Sequence, residues 1–189
     1  VMGIATPATD YTVIVTDSRV PSRNTTSATL TLVVNIAPVA TQAIASLVQI
    51  NGETVNLTPV IGSGGTRPLI YSISPSLENG LRFDTVTGAI TGTVNGTPGE
   101  TVYTVTVTDA NGVSTNNSFS LTIGDTLTAL PVIVSKALTA TQTEINFTPI
   151  TGSGGIGNLS YGISPALTNG LTLDNSTGAI TGNVTGTLI

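Results

Sequence analysis

The sequence predicts an all-β protein made of antiparallel Greek-key β-sandwiches that repeat with a period of about 90 residues. Residues 62–97 (GSGGTRPLIYSISPSLENGLRFDTVTGAITGTVNGT) are nearly repeated by residues 152–187 (GSGGIGNLSYGISPALTNGLTLDNSTGAITGNVTGT). Strict apolar/hydroxyl alternation marks several strands, Gly, Pro and Asn separate them, and no stretch carries a helical period. Self-similarity at a fixed period indicates an array of one unit, which more often serves display or mechanical work than chemistry.

The chain opens with a predicted hairpin. Its first strand contains the segment YTVIVTD, which returns as YTVTVTD at residues 103–109. Alternate residues of a strand lie on one face, so every second apolar residue is expected on the core side. The residues predicted to point inward are Tyr11, Val13, Val15, Ala28, Leu30 and Leu32.

A central unit follows the Pro-containing segment Asn35–Pro38. After an Asn51-Gly52 turn, Val55, Leu57 and Pro59 alternate with polar residues. A glycine loop comes next, at Gly62–Gly65. The strands predicted after it are Leu69–Ser74, Leu81–Asp84 and Ala89–Val94, and Thr85–Gly88 joins the last two.

The central unit ends in a second predicted hairpin. Tyr103, Val105 and Val107 are expected on its inner face, and the turn Asp109-Ala-Asn-Gly112 tolerates positive φ. The return strand places Phe119, Leu121 and Ile123 inward. Another Pro-containing segment, Gly124–Pro131, predicts the next joint.

These signals divide the chain into three parts. Residues 1–36 are predicted to be the C-terminal part of one repeat, 37–125 a complete repeat, and 126–189 the N-terminal part of another. Two interpretations of the partial ends stay open: a window from a longer array completed by neighbouring repeats, or completion in trans by strands of an identical subunit.

Six segments of the central unit form a long motif: Thr58-Pro59-Val60, Gly62–Gly65, Tyr71–Pro75, Gly80–Asp84, Thr87-Gly88 and Tyr103–Gly112. This motif resembles that of the bacterial Ig-like domains related to the dystroglycan-type cadherin-like fold. That resemblance implies tandem Ig-like sandwiches, as found in large secreted, cell-surface or phage proteins, and it implies no single activity.

Composition narrows the function. The chain has no Cys, His or Trp, so the commonest general base, the strongest nucleophile and the usual zinc ligands are missing, and no enzyme is expected. A net charge of −5 with five scattered basic residues argues against nucleic-acid binding. No apolar run is long enough for a membrane span. The low charged fraction of 8%, offset by many hydroxyl and amide residues, is typical of extracellular or virion-surface proteins.

Two interpretations apply to the acidic turns. Asp84 and Asp174 precede Thr-Gly turns, and Asp125 lies at a predicted joint, so all three are candidate calcium ligands. The competing prediction is purely structural: the carboxylates accept backbone N–H bonds while Gly88 and Gly178 supply positive φ. Because calcium needs six to eight oxygens and no acidic cluster is evident, no cofactor is predicted. Asp109 and Gly112 are predicted to be structural turn residues as well.

The function predicted from sequence is a non-enzymatic structural or adhesive repeat protein, exposed on a cell surface in a stalk or filament. Two alternatives stay open: a phage virion protein that decorates a capsid or extends a tail fibre, and a carbohydrate-binding accessory module. For the second, the repeated tyrosines are the candidate stacking residues, although alternation places Tyr103 in the core.

Overall fold

The computed structural model describes residues 5–21, 23–78 and 80–186. Regular secondary structure in these ranges is entirely β, and they contain no helix of the length and apolarity needed to cross a membrane. The strands are β1 Thr6–Thr16, β2 Thr25–Val34, β3 Val39–Gln42, β4 Ser46–Ile50, β5 Thr54–Leu57, β6 Val60–Ser63, β7 Ile70–Ser74, β8 Leu81–Phe83, β9 Ile90–Thr93, β10 Gly99–Thr108, β11 Ser114–Pro131, β12 Ile145–Phe147, β13 Ile150–Gly155, β14 Leu171–Leu173 and β15 Ile180–Gly182.

The all-β prediction is confirmed. Three of the central strands that alternation and turn residues predicted appear as β7, β8 and β9, with bounds that differ by at most one residue at either end. The chain forms two compact units. The first comprises Val1–Leu47, Thr54–Gly92 and Thr101–Leu121, and the second comprises Val48–Glu53, Thr93–Glu100 and Thr122–Ile189.

The first unit contains small antiparallel sheets. Strand β3 pairs with β6, β9 lies between β5 and β8, and β10 lies between β7 and β11. Its buried side chains come from alternate strand positions, as the pleat requires. They are Val55, Val60, Leu69, Tyr71, Leu81, Ile90, Tyr103, Val105, Val107, Phe119 and Leu121.

The second predicted hairpin, β10–β11, supplies the centre of this core. Val105 and Val107 are fully buried, and the rings of Tyr103 and Phe119 stack with centroids 5.5 Å apart. On the opposite face, the hydroxyls of Thr104 and Ser118 lie 3.0 Å apart. The alternation therefore predicted the buried face of this hairpin correctly.

The first hairpin forms as predicted, but its inward face is exposed. Strands β1 and β2 pair antiparallel, with Tyr11 opposite Leu30 and Val13 opposite Ala28. The side chains predicted to be inward are all exposed, because no second layer lies over them among the described residues. The prediction of burial was wrong for Tyr11, Val13, Val15, Ala28, Leu30 and Leu32.

The segment Gly124–Pro131, predicted as an extended joint, is part of a paired strand. Strand β11 runs without a break from Ser114 to Pro131, and its second half pairs with β13. In the second unit, β15 also lies between β12 and β14. Ile145 and Ile180 are buried where these strands meet.

Candidate functional site

The turn at Asp84 follows β8 and is held by the aspartate itself. Its Oδ1 accepts hydrogen bonds from the N–H groups of Val86 at 2.8 Å and Thr87 at 3.1 Å. Its main-chain oxygen accepts the N–H of Gly88 at 2.8 Å. The bonds from Val86 and Thr87 stabilise the carboxylate, so they lower the pKa of Asp84 below its ordinary value.

Asp174 repeats this turn after β14. Its Oδ1 accepts the hydroxyl of Ser176 at 2.6 Å and the N–H groups of Ser176 and Thr177 at 2.8 and 3.2 Å. The Ser176 hydroxyl, an additional donor, is the largest cause of a pKa lowered from 3.8 to about 2. The carboxylate is therefore ionised at any physiological pH.

Two glycines close these turns. Gly88 and Gly178 have φ of +74° and +72°, a region that residues with a Cβ rarely enter. A Cβ at Gly88 would lie 2.8 Å from Cδ1 of Tyr71, and one at Gly178 would lie 2.7 Å from Cδ1 of Tyr161. The Thr-Gly turn therefore packs its backbone directly on a tyrosine ring.

Two of the repeated tyrosines, Tyr71 and Tyr103, are buried in the core of the first unit. Tyr71 is 8% exposed, and its hydroxyl oxygen accepts the N–H of Gly62 at 3.1 Å. The equivalent hydroxyl of Tyr161 accepts a glycine N–H at 3.2 Å. Tyr103 is 4% exposed and stacks on Phe119. The buried rings of Tyr71 and Tyr103 therefore present no open face on which a sugar could stack.

Asp109 organises the end of β10. Its Oδ2 accepts the N–H of Thr66 at 3.0 Å, and its Oδ1 accepts the N–H groups of Asn111 and Val113, both at 2.9 Å. The bond from Thr66 contributes most to a lowered pKa of this 8% exposed residue. Gly112 completes the turn with φ of +80°. One carboxylate thus holds a hairpin turn and a neighbouring loop together.

Asp125 belongs to a different polar cluster, in the second unit. Its Oδ1 accepts a hydrogen bond from Nδ2 of Asn51 at 2.7 Å. Asn51 also exchanges two bonds with the main chain of Gly96, each 2.8 Å long. The three calcium candidates therefore lie in separate hydrogen-bonded settings, and among the described residues no three acidic side chains form a group suited to a metal ion.

An apolar groove of about 490 Å³ opens on the second unit. The sequence analysis assigned one lining residue, Gly178, to a turn and did not predict the groove. The available signal was the repeat itself, which puts Leu159, Tyr161 and Ile163 at the positions of Leu69, Tyr71 and Ile73. Its largest lining side chains are Leu127, Ile156, Leu159, Tyr161, Ile163 and Leu173.

Comparison with protein families identifies the central part of the chain. Residues 37–124 match the family described as "Putative Ig domain". No curated protein matches the chain significantly.

Solved structures of titin Ig domains resemble the fold, and protocadherin domains give a weaker match. An I-band fragment of titin, I67–I69, superposes with a TM-score of 0.54 at 17% identity, over 95% of this chain and 65% of that one. A variant of the same three titin domains gives 0.55 at 16% identity, with the same coverage. Protocadherin gamma B7 domains 1–4 give 0.47 at 14% identity, over 95% and 49%.

The chain spans less than two thirds of the length of each of these structures. At such identities the likeness to the titin domains concerns the fold alone. That fold is the Ig-like β-sandwich, with sheets of short antiparallel strands around one apolar core. Residues 37–124, which match the family described as "Putative Ig domain", thus lie in a part of the chain that has the Ig-like fold.

Proposed function

We propose that this chain is a non-enzymatic structural and adhesive repeat protein that works outside the cell as part of a stalk or filament. The observation that supports this most is the use of the repeated motif residues. Asp84, Asp174, Tyr71 and Tyr161 all bond to or pack on their own turns. A repeated motif whose residues maintain the local fold is typical of tandem arrays, which serve by their length and by the surface that they expose.

The side-chain chemistry supports a non-enzymatic role. The sequence lacks His and Cys, so carboxylates would have to carry any acid–base chemistry. Asp109 is the carboxylate with the most backbone contacts described above. It accepts three backbone N–H bonds that favour its charged form, so its basicity is reduced. Such a group is suited to holding a turn and poorly suited to accepting a proton near neutral pH.

Surface labelling tests the extracellular role. Antibodies raised against the 189-residue chain should label intact cells of the producing organism, and the label should disappear after brief external proteolysis. Label that appears only after permeabilisation would contradict the proposal. Label confined to purified virions would replace it with the capsid or tail-fibre alternative.

Glycan binding tests the accessory-module alternative. We expect no saturable binding when the full chain is applied to an array of immobilised glycans, because Tyr71 and Tyr103 are buried. The informative variant is Tyr11→Ala, since the Tyr11 ring is exposed. Saturable binding that this substitution abolishes would favour a carbohydrate-binding module over a stalk.

A further inference from the structure

We propose that the apolar groove of the second unit binds the β1–β2 hairpin of a second copy of this chain, which adds its strands to the second unit in trans. The inference rests on the proposed structural function and names the partner through which the chain would extend. The first unit serves as the template for this inference, because its β10–β11 hairpin already occupies the corresponding groove.

The groove corresponds to the seat of β10 in the first unit. There, β10 pairs antiparallel with β7, so that Val105 lies opposite Ile73 and Val107 opposite Tyr71. The residues that repeat β7 in the second unit are 160–164, and residues 160–163 form no strand. They line the groove instead, with Tyr161 and Ile163 facing it. Among the described residues, no strand pairs with 160–163, which correspond to the partner of β10 in the first unit.

The β1–β2 hairpin has the side chains of that occupant. The segment Tyr11–Asp17 (YTVIVTD) repeats Tyr103–Asp109 (YTVTVTD). In β10, Tyr103, Val105 and Val107 are 4%, 0% and 0% exposed. Their counterparts Tyr11, Val13 and Val15 are 51%, 53% and 62% exposed. Large apolar side chains exposed together on one face of a sheet indicate an interaction surface.

The template fixes the register of the complex. Val13 would lie opposite Ile163 and Val15 opposite Tyr161, as Val105 and Val107 lie opposite Ile73 and Tyr71. A glycine provides room for Val15: a Cβ at Gly62 would lie 2.7 Å from Cγ1 of Val107, and Gly152 is the repeat of Gly62.

A polar contact completes the match. Asp109 accepts the N–H of Thr66 in the first unit, and the residue that repeats Thr66 is Ile156 in the groove. Asp17 is the counterpart of Asp109, and its Oδ1 already accepts N–H bonds within its own turn. Its Oδ2 contacts Arg19 at 3.2 Å on the surface. In the complex this oxygen would accept the N–H of Ile156.

Sedimentation of the full chain over a range of concentrations tests the association. We expect reversible, concentration-dependent assembly of the wild type. Val13→Asp in the hairpin and Ile163→Asp in the groove should each weaken it at least about tenfold, because a carboxylate would be buried without a partner. Thr12→Asp, on the opposite exposed face of β1, is the matched control and should assemble normally. A wild type that remains monomeric at all concentrations, or assembly equally tolerant of all three variants, would overturn the proposal.

Cysteine trapping tests the register, because the natural chain has no Cys. Thr106 lies opposite Ser72 in the first unit, and the corresponding residues in the complex are Ile14 and Gly162. A Cβ added at Gly162 would meet nothing within 4 Å. Directly opposed residues of antiparallel strands have Cα atoms about 4.5–5.5 Å apart, within the range of a disulfide.

Chains carrying Ile14→Cys, mixed with chains carrying Gly162→Cys, should form a disulfide-linked pair on mild oxidation. Ile14→Cys mixed with Thr172→Cys is the control and should not form one. If the chain with both Ile14→Cys and Gly162→Cys closes only on itself, as a monomer, the partner is not a second copy and the proposal fails. Surface labelling of cells does not depend on either result, so failure of this proposal and failure of the extracellular role are distinguishable.

Discussion

Individual carboxylates and glycines fix the repeated turns of this chain. Asp84 and Asp174 each follow a strand and accept N–H groups of the turn, and the glycine four residues later lies against a tyrosine ring. The aspartates satisfy the donors, while the glycines permit both the positive φ and the close approach. The recurrence of the same turn after 90 residues shows that these residues determine it locally.

Replacing Gly88 separates backbone strain from steric overlap. Gly112→Ala is the matched control, because Gly112 has φ of +80° but open space around its Cα. We expect Gly112→Ala to cost about 1–2 kcal/mol of unfolding free energy from strain alone. Gly88→Ala should cost about 2–4 kcal/mol, because its Cβ would also lie 2.8 Å from the Tyr71 ring. Urea denaturation measures both, and equal losses would refute the packing role of Gly88.

The lowered pKa of Asp174 predicts a specific loss of stability in acid. Since the pKa is about 2 in the folded chain and ordinarily 3.8, the carboxylate contributes stability that is fully present above pH 3.8 and lost as the pH falls towards 2. Asp174→Asn keeps an acceptor oxygen for the turn but does not titrate. Its unfolding free energy should therefore fall less steeply than that of the wild type between these pH values. Parallel curves in acid denaturation would contradict this assignment.

Two hairpins of similar sequence differ in what covers them. Strands β10 and β11 lie within the core of the first unit, whereas β1 and β2 expose the corresponding residues. In each hairpin a tyrosine of the first strand lies next to a large apolar residue of the second: Tyr103 next to Phe119, and Tyr11 opposite Leu30. Local sequence therefore determines the hairpin, and a second layer determines whether its apolar face is buried.

Truncating equivalent residues of the two hairpins should have unequal effects on stability. Phe119→Ala removes a ring that is 2% exposed and should cost about 3–5 kcal/mol. Leu30→Ala, at the matching position of the first hairpin, should change stability by less than about 0.5 kcal/mol. Both are measured by denaturation at a concentration too low for association. A large loss for Leu30→Ala in the isolated chain would mean that its side chain is buried in solution.

How far the sequence predicted this molecule depends on the element. Strands with strict alternation, such as β10, were predicted with the correct inner face. Strands β3 and β4 were not predicted, because VATQ and SLVQI are short and lack a clear period of two. Strand β11 runs through Gly124–Pro131, which the sequence predicts to be a joint because inward alternation gives way there to a Pro-containing segment. The turn aspartates could be identified from sequence, whereas the groove depends on which strands are present to cover it.

The whole chain should keep its stability without calcium. The candidate ligands Asp84, Asp125 and Asp174 lie in separate settings, each with an oxygen accepting protein hydrogen bonds. Adding calcium to about 10 mM, above the dissociation constants of about 10⁻⁴–10⁻³ M found in extracellular modules, should leave the Tm unchanged, as should a chelator. A rise in Tm with calcium that Asp125→Asn abolishes would contradict this expectation.

The shared register of β8–β9 and β14–β15 has a consequence for folding. Leu81 pairs with Gly92 just as Leu171 pairs with Gly182, so β8 could in principle accept β15 in place of β9. The connection favours the correct partner, since it has six residues between Phe83 and Ile90 but 96 between Phe83 and Ile180. Closing the longer loop costs about 2.5 kcal/mol more, a preference of roughly 60-fold for the neighbouring strand. In an array whose copies are almost interchangeable, the shortness of the Asp-to-Gly turn thus protects each repeat from mispairing with the next.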